Sequence, residues 1–159
     1  MRNKQELLND LDEQFKTLKK ELRLKYSLED FDSIFFIRDL ISSQGFVSEN
    51  LSRVICRRIA ENYGYWANDL CGLIIPNPSS LISMSESQAF DKKDREEITL
   101  IVNKAMVFVS ANPLIGLTKD KKAEAKFMND AVSMWHELFK TKLVKISMKA
   151  NRYWTEKSK

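Results

Sequence analysis

The stretch KTKLVKISMKANRYW, residues 140–154, places Lys142, Lys145, Lys149 and Arg152 at steps of three, four and three. On a helix that spacing aligns the four cations in one stripe. At a rise of about 1.5 Å per residue the stripe extends over roughly 15 Å, enough to follow several backbone phosphates. Tyr153 and Trp154 close it, and aromatic rings there could stack on an unpaired base. The same segment supports a second chemistry. Leu143, Ile146, Ala150 and Tyr153 form an apolar arc beside the cations. A helix of that kind can dock in a groove while its lysines meet an acidic rim. A smaller basic cluster, Arg53, Arg57 and Arg58, is partly neutralised by Glu61, one turn after Arg57.

Charge is distributed unevenly in a way that favours an anionic or acidic partner. Lys140, Lys142, Lys145, Lys149, Arg152, Lys157 and Lys159 face only Glu156 in the last twenty residues, a net charge of +6. Of the 26 basic and 22 acidic residues in the whole chain, 19 and 21 lie before that point, a net charge of −2. All the excess positive charge is therefore carried by the C-terminal segment.

The residue types that would support catalysis are sparse. His136 is the single histidine, which excludes two-histidine metal sites. It is expected at the edge of an apolar helix face, as a packing residue. Cys56 and Cys71 have no C-x-x-C spacing, and both fall on expected helix contacts, where a thiol is inert. Glu96 and Glu97 are adjacent and diverge on a helix. No glycine-rich phosphate loop or nucleophile motif occurs. The expectation is a chain that is not an enzyme and uses no metal and no cofactor.

What positions these residues is a set of helices. Only four Gly and three Pro occur in 159 residues, too few for the many turns of a strand-rich fold. With 43% hydrophobic and 30% charged residues, the chain can bury a core. A first helix is predicted over 3–25, with a seam of Leu8, Leu11, Phe15, Leu18 and Leu22. Ser27 with Asp30 resembles a capping box opening a helix over 28–43, and Gly45 reads as its stop. Ser48 is the expected cap of a helix over 49–74. There Leu51, Ile55, Ile59, Tyr63, Trp66, Leu70 and Leu73 share a face, and Ala60, Gly64, Ala67 and Cys71 form a row of small residues beside it. Tyr65 turns away from both. Residues 76–90, opened by Pro76 and Pro78, read as an irregular connection or a short helix. Asp91 with Asp94 caps a helix over 92–111, Pro113 and Gly116 mark a connection, and Thr118 caps a last helix over 119–154.

These elements predict an all-α fold, a bundle of about five helices with a long C-terminal helix, in a single domain spanning 1–159 with a frayed tail at 155–159. The N-terminus lacks the apolar stretch of a signal peptide, and no run approaches the length of a membrane span, so a cytoplasmic or nuclear location without membrane insertion is expected. The expected function is a helical protein–protein interaction module, a subunit or adaptor that binds a protein partner or itself. The alternative is nucleic-acid binding through the C-terminal basic stripe.

Overall fold

A computed structural model describes residues 3–159; Met1 and Arg2 lie outside the described residues. The fold is all-α, with no strand among the described residues. The elements are α1 (Lys4–Leu22), α2 (Leu28–Phe35), α3 (Ile37–Gln44), α4 (Leu51–Ile74), α5 (Leu81–Ser87), α6 (Lys92–Thr118), α7 (Lys121–Met134), a π-helical turn (Trp135–Phe139) and α8 (Lys140–Lys157). Counting the uninterrupted run from α7 to α8 as one helix gives seven rather than the expected five. The chain forms two compact units, one from residues up to Asn62 together with Ser110–Ser133, the other from Tyr63–Val109 together with Met134–Lys159.

In the first unit, α1 opens on a capping box in which Asn3 Oδ1 accepts from the Gln5 amide at 2.8 Å. Leu7, Leu11 and Phe15 are its buried residues, while Leu8, Leu18 and Leu22 of the expected seam are half-buried. The Phe15 ring meets Phe31 edge-on at 5.8 Å. The helix expected over 28–43 is broken at Phe36, whose φ of 55° lies in the left-handed region. Phe31, Ile34, Phe35, Ile37 and Ile41 are buried on both sides of the break.

Polar anchors hold the broken geometry. Phe36 N–H donates to the Asp32 carbonyl at 2.9 Å, and the Asp32 carboxylate accepts from Arg38 N–H at 2.7 Å, satisfying the first turn of α3. The Arg38 guanidinium then binds Glu29 and Asp32 and reaches Asp12 of α1 at 3.4 Å. These carboxylates raise the pKa of Arg38 further, although burial opposes them. From α4, Arg58 Nε donates to the Phe35 carbonyl at 2.8 Å, and Asn62 Nδ2 to that of Ile34 at 3.4 Å. The carbonyls left open at the end of α2 are thereby satisfied.

Helix α4 begins at Leu51, two residues later than expected, with the Asn50 carbonyl accepting from Arg53 and Val54 N–H. Its expected core face is buried at Leu51, Ile55, Ile59, Tyr63, Leu70 and Leu73, with Trp66 half-buried and Tyr65 exposed. The row of small residues is buried only at Ala60 and Ala67; Cys71 is exposed, which corrects the expectation that both thiols are buried. A Cβ on Gly64 would sit 3.5 Å from Val109 Cγ2, an ordinary contact. The close approach expected at Gly64 is thus not tight enough to need glycine. Gly64→Ala is expected to stabilise the protein by about 0.5–1 kcal/mol through helix propensity, read as a raised urea midpoint. A loss of stability would mean that Val109 cannot give way.

In the second unit, Arg95 of α6 joins the surrounding chain, donating to the carbonyls of Ile74 (3.3 Å), Ser87 (3.1 Å) and Phe90 (3.2 Å). That anchor orders the 76–90 stretch, within which Ser80 caps α5. Asp91 and Asp94 form the expected reciprocal cap of α6.

Helix α6 runs through Pro113 to Thr118, where a connection was expected. Proline cannot donate to the carbonyl one turn back. Yet Arg53 holds the adjacent Asn112 by both its carbonyl and its side chain, and the helix continues. Lys119, with φ 53°, ends it, and Asp120 rather than Thr118 caps α7, accepting from Lys122 and Ala123 N–H. The longer helix also corrects the expectation about apolar runs. By length and composition α6 could cross a membrane, and a third of its most apolar window is buried in the fold. Ile98, Ile101, Ala105, Phe108 and Ile115 are buried, while Leu100, Met106, Val107, Leu114 and Leu117 are exposed. The C-terminal tail is helical through Lys157, so only Ser158 and Lys159 of the expected frayed segment lie beyond the helix.

A candidate interaction surface on the C-terminal helix

The four cations of α8 do not share one fate. Lys142 Nζ lies 3.5 Å and Lys145 Nζ 3.4 Å from the same Glu97 oxygen on α6, and Lys149 pairs closely with Asp94. Lys142 and Lys149 are seven residues apart, so both project toward α6, while Lys145 and Arg152 stand farther round the helix. Arg152 is exposed and makes no ion pair among the described residues. The acidic partners Asp94 and Glu97 are three apart on α6, a pattern visible in the sequence only once α6 and α8 are known to be neighbours.

Lys149 holds the Asp94 carboxyl below its usual range, chiefly by hydrogen bonding, and Lys142 and then Lys145 lower that of Glu97 through their charge. A carboxylate whose pKa is depressed in the folded state stabilises the fold above its unfolded pKa, and that contribution is lost as pH falls through the folded value. The α6–α8 link is therefore expected to weaken below about pH 4, where unperturbed carboxylates take up protons. Hydrogen exchange of α8 amides should accelerate there before that of α1. Equal acceleration in both helices would sink this expectation.

Tyr153 and Trp154 are half-buried and engaged within the fold. Trp154 Nε1 donates to Glu86 Oε2 of α5 at 2.6 Å, the two rings meet edge-on at 5.2 Å, and Lys157 lies over the Tyr153 ring. Burial, and then the nearby Glu86 carboxylate, push Asp69 upward. Of the two rings proposed for stacking, Trp154 links α8 to α5 through its indole N–H.

The second cluster is also largely engaged within the fold. Arg53 binds Asn112 and approaches Glu124 at 3.8 Å, Arg58 binds the Phe35 carbonyl, and Arg57 pairs with Glu61 at 3.7 Å. This cluster belongs to the first unit and the α8 stripe to the second. His136 and Glu137 are both exposed on the π-helical turn, which corrects the placement of His136 as a packing residue.

What α8 presents outward is apolar as well as cationic. Val144 and Met148, one turn apart, are 51% and 59% exposed, more than half of each side chain facing solvent. Together with Thr141, Lys145, Lys149 and Arg152 they border a shallow open hollow of about 350 Å³. Leu143 of the expected apolar arc is buried, whereas Val144 and Met148, which stand farther round the helix, are exposed. No protein-family model, curated protein or solved structure matches this chain.

Proposed function

We propose that the chain is a non-enzymatic interaction subunit that docks a protein partner through the outward side of α8. The observation that carries this reading is the pairing of exposed Val144 and Met148 with cations along one edge, Lys145 and Arg152. Contiguous apolar groups at a surface gain free energy when covered, and the neighbouring charges fix orientation and exclude wrong partners. For a phosphate backbone the arrangement is less suited. Lys142, Lys145 and Lys149 already face Asp94 and Glu97, so nucleic acid would have to displace intramolecular carboxylates or meet them as like charge. Trp154 is half-buried, and its indole N–H is held by Glu86, a carboxylate that would face an incoming phosphate as like charge. A reduced cytoplasmic or nuclear setting, without membrane insertion, fits such a subunit.

The test replaces Met148 by a photo-crosslinking residue in cells, with exposed Lys16 as the control position. Nuclease-resistant protein adducts at 148, absent at 16 and lost with Val144→Asp, support docking. Salt-sensitive binding of DNA or RNA to the purified chain, removed by changing Lys142, Lys145, Lys149 and Arg152 to Gln, would overturn it in favour of nucleic acid.

A further inference from the structure

Phe36 is the residue the isolated fold has least use for. Its φ of 55° puts a bulky side chain in the left-handed region, where glycine or asparagine would sit without the same strain. Its ring is 56% exposed, so burial does not offset that strain. The conformation is nonetheless held from several sides, by Asp32, by Arg38 and by Arg58 on the Phe35 carbonyl. The result is an aromatic ring presented to solvent from a rigid corner.

The corner is acidic. From Leu28 to Gln44 the chain carries Glu29, Asp30, Asp32 and Asp39 against Arg38, with Arg58 of α4 reaching the same corner. Arg38 is shared among Glu29, Asp32 and Asp12, and the exposed Asp39 carboxylate has no cation beside it among the described residues. An exposed aromatic beside the Asp39 carboxylate is the chemical complement of the α8 hollow, which Val144 and Met148 line together with Arg152, the cation of that side that makes no ion pair among the described residues. Phe36, Val144 and Met148 are all solvent-exposed in the single chain.

We infer that the occupant of the α8 hollow is Phe36 of a second copy of this chain, with the exposed Asp39 carboxylate of that copy meeting Arg152. The inference rests on the reading of α8 as a protein-docking surface and supplies its partner. Two different surfaces of the same chain meet, so the contact is head-to-tail, and the pair retains one free surface of each kind, one on each copy, for further copies. The ring acts as a central anchor, and complementary charge sets orientation and makes association sensitive to salt.

Analytical ultracentrifugation of the full chain tests this across concentration and at low and high salt. The expected result is concentration-dependent association that weakens with salt. Phe36→Gly, and separately Val144→Asp combined with Met148→Asp, should each weaken it by about tenfold or more, as loss of a central anchor does. The decisive sample is the equimolar mixture of the two variants. One copy then brings an intact hollow and the other an intact Phe36, so one good interface returns and a one-to-one dimer forms. Circular dichroism confirms that each variant is folded, with Phe36→Asn as a second choice at the left-handed position. A wild-type chain that stays monomeric at high concentration, association indifferent to either variant, or a mixture that fails to pair would each overturn the inference. Its failure is distinguishable from failure of the docking reading. Monomeric protein whose residue-148 crosslinker captures a different protein leaves α8 as a docking surface with another occupant, whereas no protein adduct at 148 removes both.

Discussion

Arg53→Met is expected to destabilise the protein by about 3 kcal/mol, the usual scale for removing one partner of a buried ion pair. Glu124 of α7 is 1% exposed. Its two cations are Lys121, at 3.2 Å on the same helix, and Arg53 of α4, at 3.8 Å. Lys121 is mostly solvated, so Arg53 is the partner brought to Glu124 by the fold. The same guanidinium donates to the Asn112 carbonyl and side chain beside Pro113. Losing it therefore leaves a buried carboxylate short of compensation and releases Asn112, beside Pro113 of α6, together. The measurement is urea unfolding of Arg53→Met, Glu124→Gln and the double variant. Strong coupling is expected, with the double variant less destabilised than the sum of the two singles. Thiol labelling gives an independent readout. Cys56 is fully buried, and burial first, then the Glu124 charge, push its thiol up to about 12, whereas Cys71 is exposed. Native protein should react at Cys71 alone, and Arg53→Met should open Cys56 to reaction. A cost below about 1 kcal/mol with Cys56 still protected would show that Lys121 suffices for Glu124.

How much of this was legible in the sequence follows from the range of the interactions concerned. Ser27 with Asp30, Asp91 with Asp94 and the Gly45 stop were readable because each acts within about one turn of its own helix. The burial of Tyr63 and the exposure of Tyr65 were readable for the same reason, since helical period alone separates them. The break at Phe36 was not. Apolar residues continue on both sides of it, and what fixes it is Arg38, Arg58 and Asn62, two of which come from another helix. Pro113 misled in the opposite direction: a proline is a strong local stop signal, and the Arg53–Asn112 contact that accompanies its tolerance spans 59 residues of chain.

The C-terminal stripe shows the same limit at a functional surface. Spacing correctly groups Lys142, Lys145, Lys149 and Arg152 on α8, but spacing cannot say that Asp94 and Glu97 of α6 lie opposite three of them. Formal charge counted along the chain therefore overstates the positive potential available to a polyanion. It also hides the apolar component, because Val144 and Met148 fall outside the apolar arc that contains the buried Leu143. A segment whose spacing left both protein docking and phosphate binding open is seen, once its neighbours are in place, to mix exposed Val144 and Met148 with cations of which three are paired. Phe36 completes the argument from the other side, as an exposed ring held in a conformation that favours glycine.

The largest loss of stability is expected from Tyr63→Ala. Tyr63 is fully buried, stacked on Phe108 with ring centroids 4.5 Å apart and 13° between planes, and met edge-on by Phe139 at 4.9 Å. Truncating a buried aromatic removes its transfer free energy and leaves a cavity, typically about 3–5 kcal/mol together. Two ring–ring contacts add to the loss, at roughly 0.5–1.5 kcal/mol for each pair. The neighbouring substitution supplies the control. Tyr65, two residues on, is 66% exposed and touches Trp66 edge-on, so Tyr65→Ala should change stability by no more than about 0.5 kcal/mol. Urea unfolding of both variants by circular dichroism decides between two meanings of the sequence YGYW. If Tyr63→Ala is costly and Tyr65→Ala neutral, the segment is a packed helix whose first tyrosine anchors the core of the second unit. Equal and small effects would instead mean that the aromatic cluster is not a packed core, and that its rings are open to a ligand.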